Sequence, residues 1–149
     1  MAKLRTILLF ILLPLFLVAC QSTPSNLHTG SHINLFAQLG EEQGISKFVE
    51  DMINNLLVDK RTKLHFEDAN LDNLFDQLVT QFCELAGGPC RYGGSSMKEV
   101  HRDIPISGGQ FNALVEALTQ AMDDNNVPVG AQNQLLALLA PMHVDIVSQ

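Results

Sequence analysis

His101 is the side chain in this sequence best placed to do chemistry. It closes the stretch Gly87-Gly88-Pro89-Cys90-Arg91-Tyr92-Gly93-Gly94-Ser95-Ser96-Met97-Lys98-Glu99-Val100-His101. Met97, Val100, His101 and Ile104 recur at helical spacing, which predicts that they share one face of a helix. That face is apolar except for the imidazole. A histidine in such a place either hydrogen-bonds within a core or ligates a metal buried in an apolar pocket. Judged on residues alone, the first is the commoner case. Lys98 and Arg102 flank this face, where they either meet an anionic group or form a solvated surface. His65 and His143 have no comparable setting and read as ordinary residues. Cys83 and Cys90 lack a metal-site spacing. A local disulfide would suit an exported domain, and a buried thiol would suit the stripe beside Cys83, so both readings stand.

The elements that must position these residues read as helices throughout. Ile45, Phe48, Val49, Met52, Ile53, Leu56 and Leu57 hold a helical apolar period with charge on the other face. Leu71, Leu74, Phe75, Leu78, Val79, Phe82 and Leu85 repeat it, with Asn70 as the expected N-cap. Ser96 with Glu99, and Ser107 with Gln110, have capping-box spacing. The second box precedes Phe111, Leu114, Val115, Leu118 and Met122. Val127-Pro128 breaks the chain, and a last helix carries Leu135, Leu136, Leu138, Leu139 and Met142, with Pro141 expected to perturb it. The four longer helices are expected to run about 15 to 20 residues each. Between residues 59 and 70 lies a polar connection with Leu64, His65 and Phe66 in its middle, which suggests that it covers something.

The chain begins differently. Lys3 and Arg5 precede an unbroken apolar run from Ile7 to Ala19, too short to span a bilayer and of the right size for a secretory signal. Leu17-Val18-Ala19-Cys20 resembles the bacterial lipobox, which implies cleavage before Cys20 and a lipid on its thiol. Residues 1–19 are therefore expected to be a signal peptide, 20–32 a lipid-anchored tether, and 33–149 one folded domain. Gln21 and Ser22 after the cysteine favour the outer membrane, facing the periplasm. The formal charge is −7, and removing Lys3 and Arg5 with the signal takes it to −7 − 2 = −9. So acidic a body excludes nucleic acid and anionic lipid as natural partners and leaves membrane contact to the lipid.

The order of the pieces resembles the truncated haemoglobins, the two-over-two helical sandwich, and most of all their group I branch. The resemblance covers roughly Leu35 to Val147. Its carriers are Leu35-Phe36-Ala37-Gln38-Leu39-Gly40, the glycine links Gly87-Gly88-Pro89 and Tyr92-Gly93-Gly94, the segment Ser96 to His101, and Leu138-Leu139-Ala140-Pro141-Met142 with Val144-Asp145-Ile146-Val147. The resemblance implies an all-α fold holding haem b, with His101 as the proximal iron ligand. It implies Phe66 and Met97 against the porphyrin, Phe82 beside a ligand tunnel, Lys98 near the propionates, and Ile53, Leu74 and Leu78 on the distal side. The glycines would then turn the linking loop beside a large flat cofactor.

One departure bears on mechanism. Group I members usually place a tyrosine where this chain has Ile53, and a glutamine where it has Leu74 or Leu78. Gln77 stands one residue early, rotated by about 100° on a helix. The distal side is thus expected to be mostly apolar. A hydrogen bond to a charged group is worth about 1.5–3 kcal/mol, so its loss costs dioxygen roughly tenfold or more in affinity. Carbon monoxide and nitric oxide depend less on such a donor. The leading expectation is a haem protein that binds diatomic gases at the cell envelope. The alternatives are a haem enzyme, such as a nitric oxide dioxygenase or peroxidase, and a haem-free helical lipoprotein scaffold. No flavin or nicotinamide signature is present, so any electrons must come from a separate, unknown donor.

Overall fold

The computed structural model describes residues 34–147, and these form helices joined by turns. The signal peptide, the tether and Cys20 lie outside the described residues. Asn34 opens the body by accepting from the Ala37 amide at 2.9 Å, which caps the short helix α1 (Leu35–Gln38). Gly40 then takes a left-handed turn, φ 82°, into α2 (Glu41–Val58). This turn brings Leu39 against Gly44 so closely that a Cβ at Gly44 would collide with the Leu39 carbonyl. The apolar period of α2 is fully used: Ile45, Phe48, Val49, Met52, Ile53 and Leu56 are all buried. Thr62 ends the helix by donating its hydroxyl to the Leu56 carbonyl at 2.8 Å.

Next come a 3-10 turn (Lys63–His65) and α3 (Leu71–Leu85), capped by Asn70 as the sequence predicts. The short α4 (Met97–Val100) carries a complete Ser96–Glu99 capping box, and α5 (Gly108–Asp124) a complete Ser107–Gln110 box. Helix α6 (Val129–Leu139), a 3-10 turn (Ala140–Met142) and α7 (His143–Ile146) close the body. Helix α2 packs against both α3 and α5, and α5 packs against α6. The core they share runs through Phe48, Val49, Met52, Cys83, Leu118, Met122 and Leu135. Phe48 stacks on Phe82 with ring centroids 6.2 Å apart. Asn125 ties α5 to α2 by donating to Asp51 at 2.6 Å, and Arg61 joins Asp59 to Glu116 at 2.6 and 2.7 Å.

Three expectations change. The helix before His101 is short, as its sequence suggests, but it ends at Val100, so that His101 sits past its end at φ −106°, ψ 3°. Ile104 therefore reaches the shared face through a turn, with its amide on the His101 carbonyl at 3.1 Å. Pro105 keeps the helix from resuming at Ile104, because a residue before proline is steered away from helical geometry. The last long helix has 11 residues, since Pro141 converts its end into the 3-10 turn. Finally, Leu64 does not cover anything: it is 73% exposed.

Candidate haem site

A cavity of about 810 Å³ lies among α2, α3, α4, α5 and the closing helices, and its walls are mostly apolar. Of the side chains singled out in the sequence, Phe66, Leu74, Leu78, Phe82, Met97 and His101 line it together. Two do not. Ile53 is buried in the core outside the cavity wall, whose α2 contribution is Met52 and Leu56. Lys98 is exposed and also stands outside the wall, as does Arg102. His143 packs edge-on against Phe111, with centroids 4.7 Å apart, and takes no part in the wall. His65, read as ordinary from sequence, does face the cavity.

The imidazole of His101 is oriented by its own helix. Its Nδ1 lies 2.8 Å from the Met97 carbonyl oxygen, so in the neutral ring Nδ1 carries the proton and donates it. That choice of tautomer leaves Nε2 with a free lone pair, the form in which histidine binds iron. The turn that supplies the carbonyl is held by Ser96, whose hydroxyl and amide both meet the Glu99 carboxylate, at 2.8 and 3.1 Å. These two bonds, the hydroxyl's first, hold the Glu99 carboxyl below its ordinary range.

The loop before this turn is fixed by the protein's own packing. Cys83 and Cys90 are joined in a disulfide, with Cα atoms 5.8 Å apart, which resolves the alternative left open by sequence. Gly87 has φ 80°, and a Cβ at Gly88 would strike the Phe36 ring and the Cys83 sulfur. A Cβ at Gly94 would strike the Gln77 amide and the Tyr92 ring. The glycines at 88 and 94 thus answer to neighbouring side chains. Tyr92 donates its hydroxyl to the Ser95 carbonyl at 3.0 Å, and its amide donates to Glu84 at 3.0 Å.

Gln81 is the residue that sequence reasoning missed. It lies in the cavity wall, 8% exposed, and among the described residues its amide nitrogen has the Met97 and Met142 sulfurs as partners, each at 3.9 Å. Thioethers are weak acceptors. The signal was there: Gln81 follows Leu74 and Leu78 at helical spacing, on the inward face.

An all-helical body, a one-turn helix followed by a histidine with one nitrogen engaged, and a largely apolar cavity among the helices fit a globin of the two-over-two kind. Residues 34–148 match the model of the bacterial-like globin family, and the chain belongs to the truncated haemoglobins of that family. It is 26% identical over 113 residues to the group 1 truncated haemoglobin of Mycolicibacterium paratuberculosis, covering 76% of this chain and 83% of the relative. It is 24% identical over 115 residues to that of Tetrahymena pyriformis, covering 77% and 95%. The ferric crystal structure of the Tetrahymena pyriformis protein superposes with a TM-score of 0.73 at 23% identity, over 77% of this chain and 98% of that one. The two-over-two haemoglobin of a Synechococcus species, solved in its cyanomet state with covalently attached haem, gives 0.73 at 20% identity, over 78% and 99%.

Proposed function

We propose that this protein holds haem b with His101 as its axial ligand and binds diatomic gases (oxygen, carbon monoxide and nitric oxide) on the opposite side. The observation that carries this reading is the His101 ring, turned by the Met97 carbonyl so that Nε2 is free at the wall of the cavity. Apolar burial and one axial bond are the usual means of holding haem, and a wall of Leu, Phe, Met and Val supplies the first. Both described cysteines are consumed in the bridge, so neither is left to bond a vinyl group, which supports the non-covalent b type. When bound, the haem would supply an iron able to take up a gas.

The protein's own residues set what that gas meets. Leu74 and Leu78 present no hydrogen-bond donor. Thr62 and Tyr92 line the cavity but donate their hydroxyls to the Leu56 and Ser95 carbonyls, and Gln110 gives its carbonyl oxygen to the Ser107 amide and hydroxyl. Gln77 and Gln81 are the wall residues of α3 that carry an amide donor. Carbon monoxide and nitric oxide should bind readily, and dioxygen weakly or with fast oxidation. For location we propose a lipid on Cys20 and an outer-membrane anchor facing the periplasm. The Leu17–Cys20 motif supports this, as does a disulfide, which persists in oxidising compartments.

The test is an optical spectrum of the purified protein in ferric, ferrous and carbon monoxide forms. A Soret band that sharpens and shifts with carbon monoxide is expected, and His101→Ala should abolish stoichiometric haem uptake while leaving the helical circular dichroism intact. A wild-type protein that takes up no haem would make His101 a core histidine of a helical scaffold.

A further inference from the structure

The cavity is lined by neutral side chains apart from two histidines, and none of the described lysines or arginines stands in its wall. Haem is a dianion at its propionate edge, and this chain has a formal charge of −7. The cations nearest in sequence to the wall face solvent, and three of them stand in surface ion pairs. Arg61 is paired with Asp59 and Glu116 at 2.6 and 2.7 Å, Lys63 with Glu67 at 3.6 Å, and Arg91 with Glu84 at 3.6 Å. Lys98 and Arg102 are exposed and stand outside the wall. What lies at the polar rim instead is Asn73, Gln77, Tyr92 and Ser95. Meanwhile the element that carries the axial ligand is one helical turn, followed by Ile104 at 39% exposure.

From this arrangement, and resting on the haem reading above, we propose a second function: the protein is a haem carrier that releases its cofactor to an acceptor. An exposed amide such as Asn73 would give a propionate a hydrogen bond without a compensating charge. A charge-assisted bond is about twice as strong as a neutral one, and losing it speeds release. The net negative field of the body opposes a dianion further, and salt screens that opposition. A charge-clamped haem would behave in the opposite way, loosening as salt rises.

The experiment loads the full chain with haem and follows transfer to excess apomyoglobin by absorbance, at low and high salt. Wild type should hand over its haem within minutes, no faster at high salt than at low. Asn73→Lys, which puts a cation at the exposed rim, should slow transfer about tenfold and make it accelerate with salt. Lys98→Gln and Arg102→Gln should transfer at the wild-type rate. Haem retained for hours, wild-type transfer that speeds up severalfold with salt, an Asn73→Lys rate equal to wild type, or faster loss from either glutamine variant would each overturn the proposal. A chain that takes up no haem at all would overturn the haem reading and this one with it; the other failures leave the haem reading standing.

Discussion

At the scale of single residues, His101 and Gln81 show two ways of burying a polar side chain. His101 spends one nitrogen on the Met97 carbonyl and keeps the other for a ligand. Gln81 spends its amide on two sulfurs at 3.9 Å, close to no bond at all. A buried amide without a proper partner costs about 1–3 kcal/mol. Gln81→Leu should therefore leave the haem-free protein unchanged or stabilise it by about 1 kcal/mol, read as a rise in Tm by circular dichroism. A clear fall in Tm would mean that the amide is well bonded in solution. Part of the cavity wall was legible: Leu74, Leu78, Phe82 and Met97 fall on apolar helix faces, and the family resemblance named them, with Phe66 in its polar connection, as lining residues. Ile53 was placed on the distal side by its match to the family's tyrosine position, whereas α2 divides its buried residues between the core and the cavity and turns Met52 and Leu56 to the wall. Gln81 was missed because a polar residue within an apolar stripe reads as its edge.

At the scale of elements, helices with long apolar periods could be read directly, and short ones could not. Helices α2, α3 and α5 follow from their stripes and caps. Helix α4 has too few residues to show a period, and Pro105 keeps it from resuming at Ile104, the last residue of the i to i+7 pattern. Its stability leans on the capping box, which has a pH consequence. The Glu99 carboxyl is held below its ordinary value by the Ser96 hydroxyl and amide. A depressed carboxyl stabilises the fold above its unfolded pKa, and that contribution is lost as pH falls through the folded value. Haem loss from wild type should therefore accelerate in acid. Glu99→Gln preserves the box but carries no charge, so it should lose less of its haem retention between neutral and acid pH; Glu99→Ala should release haem faster at neutral pH already. Equal acid profiles for wild type and Glu99→Gln would remove Glu99 from the cause.

At the scale of the whole molecule, the Cys83–Cys90 bridge joins helix α3 to the loop that carries Tyr92 and Ser95, so two sides of the cavity share one covalent link. A loop of this length lowers the entropy of the unfolded chain enough to add about 2 kcal/mol of stability. Cys83→Ala with Cys90→Ala should unfold at correspondingly lower denaturant and release haem faster. An unchanged midpoint would show that the loop is fixed without the bridge. The bridge was not decidable from sequence, because it depends on a distance between a helix and a loop that no local pattern encodes. The two capping boxes have a joint consequence. Residues 101–106 form a strap between them, moored upstream by Ser96 with Glu99 and downstream by Ser107 with Gln110. One mooring is acid-labile and the other, an amide, does not titrate. Acid would thus weaken the strap's hold at its upstream end alone and leave the fastening at the head of α5 as it was.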